Sequence, residues 1–174
     1  MLAMSAHLEV RLATSDDLSV VLSVLDEAAG WLNVRGIRQW PAAFEPSWIL
    51  PDLRAGETWL VLTAGSPDAT VTLGWADPLW PDDARAGYVH RLARRRDAPN
   101  LGDAVLTWVA EQVAGRGRDL IRLDCVATNQ ALRAYYETRG FSHRGDTAVG
   151  GPPGDRSEAG PRTLVSLYER TVCT

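Results

Sequence analysis

Asn129, Tyr136, Gly140 and Phe141 stand at a spacing that chemistry could use, with Tyr136 seven residues after Asn129 and the Gly-Phe pair four and five residues further on. Seven residues make two turns of helix, so an amide and a phenol would project from nearly the same face, toward whatever lies above the preceding strand. A phenol can hand its proton to a stronger base created in a transition state. The competing reading is structural, with Asn129 as a helix N-cap and Tyr136 as a ring packed on a sheet. His90, in an alternating apolar segment, is a candidate general base, and Asp124 is another; a packed, hydrogen-bonded histidine is the alternative. A third group begins with Arg94, Arg95 and Arg96 and continues through Asn100, Leu101, Gly102, Asp103 and Ala104. Guanidinium groups and the open N–H groups of a starting helix both suit a phosphate-bearing ligand. Cys125 and Cys173 are far apart and have no companion at ligand spacing, so neither a disulfide framework nor a metal site is expected.

The elements that must position these groups follow from hydrophobic period and turn residues. Residues 7–13 alternate as a strand, and Thr14-Ser15-Asp16-Asp17 supplies capping side chains for a helix with apolar residues from Leu18 to Leu32, ending near Gly36. Residues 46–55 read as a shorter helix containing proline, and 58–64 and 70–76 as a hairpin turning through Gly65-Ser66-Pro67-Asp68. Then come a strand over 87–94, a turn at Pro99-Asn100, a helix over 101–115, a strand over 119–126 and a helix over 130–139 closed by Gly140. A strand after Phe141 and another over 163–170 flank a Gly/Pro-rich stretch, residues 150–161, that reads as a second lid or a disordered loop. The order predicts one α/β domain over residues 1–174, a mixed, mostly antiparallel sheet flanked by helices.

Composition supports one core, since the chain has 174 residues of which 45% are hydrophobic. No apolar stretch has the length of a membrane span and the start lacks a signal-peptide pattern, so a soluble, cytoplasmic protein with no membrane partner is expected. Lysine is absent, and charge is uneven: residues 1–84 hold four arginines against twelve acids, residues 85–144 eleven against six. A basic middle segment inside a chain of net charge −4 suits a pyrophosphate or a nucleic acid backbone; arginine simply replacing lysine throughout is the other reading.

Across residues 85–145 the order of elements and the motifs resemble the GNAT superfamily of N-acyltransferases, most specifically in RLDCVATNQALRAYYETRGF, which looks like that family's second motif. The resemblance implies acetyl-coenzyme A as co-substrate, direct attack by an amine, and protonation of the departing thiolate by Tyr136. It also implies a donor site along Leu92, the Arg94–Arg96 run, residues Asn100 to Ala104, and Asn129. The pyrophosphate turn departs from the family pattern, with Asn100 in a glycine place or Pro99 in a Gln/Arg place, and with Asp97 and Asp103 beside an anion site. Gln39 and Trp40 fall in a loop that covers the acceptor in this superfamily; with Tyr135, a quarter-turn from Tyr136, they are candidate acceptor contacts. The expected acceptor is a small-molecule amine and the expected state a monomer or homodimer. The basic segment and altered turn also motivate an aminoacyl-tRNA donor on the same fold, and a scaffold reduced to acyl-CoA or ligand binding is a third reading.

Overall fold

The computed structural model describes residues 8–98, 100–150 and 162–172, so Pro99, Cys173 and the stretch over 151–161 lie outside the described residues. Alternation makes Leu8–Leu12 the first strand, β1. The Asp17 carboxylate accepts the Thr14 N–H at 2.9 Å and pairs with Arg11 at 2.8 Å, which turns the chain into helix α1, Leu18–Val34. Helix α2, Pro46–Arg54, starts on a proline, whose missing N–H has no partner to lose in a first turn. Strands β2, Thr58–Thr63, and β3, Ser66–Gly74, form a hairpin.

Its turn is tighter than the sequence predicts. Ala64 and Gly65 both take positive φ, 50° and 83°, which suits a two-residue hairpin turn, and Ser66, Pro67 and Asp68 join β3. After a loop come strand β4, Ala86–Arg94, helix α3, Leu101–Gly115, strand β5, Leu120–Val126, and helix α4, Gln130–Glu137, which ends two residues before the predicted boundary. Gly140 closes α4 as expected, and the Phe141 N–H returns to the Tyr136 carbonyl at 3.2 Å. Strands β6, Ser142–Val149, and β7, Thr163–Thr171, complete a seven-stranded sheet in the order β1-β2-β3-β4-β5-β7-β6. Only the β4–β5 pair is parallel.

Helices α1 and α2 cover one face through Val21, Val24, Leu25, Ile49 and Leu53 against Leu60 and Ala93. Helices α3 and α4 cover the other through Val105, Val109 and Tyr136 against Val61, Val71, Val89, Ile121 and Leu123. Burying each such aliphatic side chain stabilises the fold by about 1.5–3 kcal/mol.

Candidate active site

The site begins where the sheet stops pairing. β4 and β5 are in register from Ala86 with Leu120 to Val89 with Leu123. One residue further, β4 carries a bulge: Thr70 faces Ala93 but Thr72 faces His90, and Arg91 sits at φ 48°. Its guanidinium is tied to Asp52 of α2. Beyond Val89 and Leu123 the two strands splay apart, and a cavity of about 670 Å³ opens along the gap. Its walls include His90 and Leu92 from β4, Asp124 and Val126 from β5, Tyr135 and Tyr136 from α4, and Gln39 and Trp40 from the α1–α2 loop.

Tyr136 is 6% exposed, its ring packed at 5.5 Å from those of Tyr135 and Phe141 and 6.2 Å from that of Tyr168. Burial raises its phenol well above the ordinary value, so the proton stays on oxygen. No described side chain hydrogen-bonds the Tyr136 hydroxyl, whereas the Tyr168 hydroxyl bridges Arg133 and Glu137 at 3.0 and 2.7 Å. A phenol in the cavity wall with no hydrogen-bond partner among the described side chains can donate to a ligand.

Asn129 does cap α4, its Oδ1 accepting the Leu132 N–H at 3.2 Å. Its Nδ2 donates to Gln39 Oε1 at 3.1 Å, and the same oxygen accepts the Val126 N–H at 3.1 Å. Gln39 therefore pins the α1–α2 loop to the end of β5 and the start of α4, while still lining the cavity. Trp40 anchors the loop through an edge contact with Phe44 at 5.6 Å, and the Phe44 N–H reaches the Asp26 carboxylate at 2.8 Å.

At the other end of the cavity lies the N-terminus of α3. The Asn100 side chain makes no capping bond there, and Asn100, Leu101, Gly102 and Asp103 line the opening; Ala104 does not. Asp103, a negative charge in that first turn, is paired with Arg139, one of whose nitrogens lies 3.2 Å from Oδ2. Arg139 also stacks on Tyr135 at 3.5 Å. This puts Tyr135 beside the α3 N-terminus, close enough that a Cβ on Gly102 would fall 2.2 Å from its hydroxyl oxygen.

The arginine run is largely committed to the fold. Arg94 Nη1 donates to the carbonyls of Arg95, Arg96 and Ala98 at 3.2, 3.3 and 3.0 Å, shaping the turn before α3. Arg95 binds Glu27 at 2.8 Å and does not line the cavity, and Arg96 stacks on Trp31 at 4.6 Å. Elsewhere in the basic segment Arg118 binds the carbonyls of Trp75 and Ala86, and Arg122 binds Asp82 and Glu169. The sequence spacing missed two contributors, Arg139, which neutralises Asp103, and Asp77, whose carboxylate stands 3.4 Å from His90 Nε2.

Over 150 residues, 79% of this chain and 83% of the relative, the chain is 31% identical to the uncharacterized N-acetyltransferase YesJ of Bacillus subtilis (strain 168). This chain belongs to the GNAT N-acetyltransferases. The fold agrees: a GNAT-family acetyltransferase from Listeria monocytogenes superposes with a TM-score of 0.72 at 22% identity, over 98% of each chain. The Salmonella typhimurium protein YncA, solved with its cofactor acetyl-CoA, superposes with a TM-score of 0.67 at 11% identity, over 97% of this chain and 96% of that one. No family sequence model matches the chain. As a GNAT N-acetyltransferase it is a transferase enzyme, and no helix among its described residues is long and apolar enough to cross a membrane.

Proposed function

We propose that the protein transfers the acetyl group of acetyl-coenzyme A to a small-molecule primary amine by direct attack. The observation that supports this most is the continuous cavity at the β4–β5 splay, with an uncapped helix start at one end, Tyr136 in one wall and His90 in another. The pyrophosphate would lie on the first-turn N–H groups of α3, where the helix dipole favours an anion and Arg139 has neutralised Asp103. The amine nitrogen forms a bond to the thioester carbon, backbone N–H groups at the splay hold the oxyanion, and the C–S bond then breaks. Tyr136 gives its proton to the departing thiolate, and His90 takes a proton from the amine.

That Arg94, Arg95, Arg118 and Arg122 are tied up within the fold favours coenzyme A over a tRNA donor, which would need many free phosphate contacts. The test is to titrate the purified protein with acetyl-coenzyme A and with charged tRNA across a salt series, while screening amines for the mass gain of one acetyl group. Saturable coenzyme A binding that depends only weakly on salt, with an acetylated product, is expected. Salt-steep tRNA binding with aminoacyl transfer, and no coenzyme A binding, would overturn the reading.

A further inference from the structure

Asp77 enters the site from the loop between β3 and β4, and nothing in the chain's spacing connects it to His90. Its side chain is 2% exposed. Oδ1 accepts the Leu79 N–H at 2.9 Å, a local turn that fixes the carboxylate, and this leaves Oδ2 facing His90 Nε2 at 3.4 Å. Asp124 sits across the splay from His90, and one oxygen from each carboxylate and one imidazole nitrogen all lie within 4.8 Å of one another. The loop that carries Asp77 is itself clamped. Arg122, 4% exposed, donates to both oxygens of Asp82 at 2.6 and 2.8 Å and to Glu169 at 2.7 Å, and lies over the Trp80 ring at 4.2 Å. A bidentate pair of this kind holds a loop in one place.

We propose that Asp77 is a positioning residue for His90 and that, together with Asp124, it makes this corner of the cavity a subsite for a cationic primary amine. The proposal rests on the acyl-transfer reading above. A carboxylate facing Nε2 holds the proton of the neutral imidazole on that nitrogen and fixes the orientation of the ring. Two carboxylates attract an acceptor that arrives as an ammonium ion, and they neutralise the imidazolium once His90 has taken its proton. Of the ammonium's three protons, one goes to His90 before attack, one leaves the nitrogen after the N–C bond forms, and one stays on the amide. The thiolate receives the proton of Tyr136, so ammonium and thioester become amide, thiol and one released proton.

The test reads the tautomer directly, through long-range proton–nitrogen NMR correlations of the histidine rings, with His90 assigned by the signals lost in His90→Gln. The neutral His90 ring is expected to carry its proton on Nε2. In Asp77→Asn the Leu79 N–H still requires the amide oxygen, so the NH₂ group faces His90 and the tautomer inverts. Turnover of a cationic amine substrate found in the screen should then fall by about a hundredfold or more, with the KM for acetyl-coenzyme A unchanged. Saturating butylammonium should shift the His90 signals of the wild-type protein, and butanol should not. An Nδ1–H ring in the wild type, a tautomer unmoved by Asp77→Asn, or equal shifts by butanol would overturn the proposal. Tight zinc binding that shifts the same signals and excludes butylammonium would also overturn it, by assigning the three ligands to a metal. If no amine is acetylated, the acyl-transfer reading fails, and the tautomer still decides the role of Asp77.

Discussion

Replacing Tyr136 with phenylalanine should separate activity from stability. The phenylalanine keeps the ring contacts with Tyr135, Phe141 and Tyr168, each worth about 0.5–1.5 kcal/mol beyond area burial. The lost hydroxyl breaks no hydrogen bond to a described side chain, so removing it should change stability by no more than about 1 kcal/mol. The cost to the reaction is larger. Losing a general acid slows the chemical step by on the order of a hundredfold or more, or about 2.7 kcal/mol of transition-state stabilisation at about 1.36 kcal/mol per factor of ten. Burial holds the phenol's proton above its ordinary range, so ionisation of Tyr136 should not depress wild-type turnover up to a pH of about 10. Single-turnover rates, thermal melts and calorimetric titration of acetyl-coenzyme A check the three parts on one pair of proteins. An unchanged chemical step would remove Tyr136 from the reaction, and a melt that falls in step with activity would make its role structural.

Gly102→Glu forces a Cβ to 2.2 Å from the Tyr135 hydroxyl oxygen and adds an anion at the α3 N-terminus. Acetyl-coenzyme A affinity should fall by about tenfold or more while the melt moves much less; if neither changes, the anion site lies elsewhere. Acid should destabilise the protein between about pH 4 and about pH 2. Hydrogen bonds from Arg11, Arg122 and Arg139 hold Asp17, Asp82 and Asp103 below the usual carboxylate range, Asp82 at about 2, so the unfolded chain binds more protons there and stability is lost as pH falls. Glu57, raised by burial, acts in the opposite sense, and denaturant midpoints that stay flat through this window would refute the balance. Burial pushes the Cys125 thiol up to about 12, so iodoacetamide at pH 8 should label it only after unfolding, as read by peptide mass; native labelling at the unfolded rate would contradict this.

The parts of the site that were legible in the sequence are those set by local period. Two turns of helix bring Asn129 and Tyr136 to one face, and Gly140 ends that helix where a turn residue should. The bulge at Arg91 was not legible, because the alternation of residues 87–94 carries no sign of an extra residue; only pairing with β3 shows it. Asp77 was invisible for a related reason, since an Asp-Pro-Leu turn reads as a turn whatever its second oxygen faces. The arginines show the limit of charge counting. Residues 85–144 are net basic in sequence, yet the acids that neutralise Arg91, Arg95 and Arg122 come from Asp52, Glu27, Asp82 and Glu169, all outside that segment. Tyr135 was seen to diverge from Tyr136, but its destination depended on Gly102 leaving room.

The place of β7 in the sheet bears on how the protein folds. It lies between β5 and β6, its register running from Leu120 with Thr171 to Val126 with Val165 on one side. β5 forms one wall of the cavity, and on its other side it pairs with β4 only as far as Leu123. Until residues 163–171 have emerged from the ribosome, the backbone of Asp124, Cys125 and Val126 lacks the β7 ladder, and β4 pairs with β5 only as far as Leu123. The cavity wall is thus among the last parts of the sheet to form, through a non-local pairing that slows folding and leaves an apolar edge open to other chains meanwhile. Substitutions in β7 should therefore lower the yield of folded protein during synthesis, even though none of its side chains takes part in the proposed chemistry.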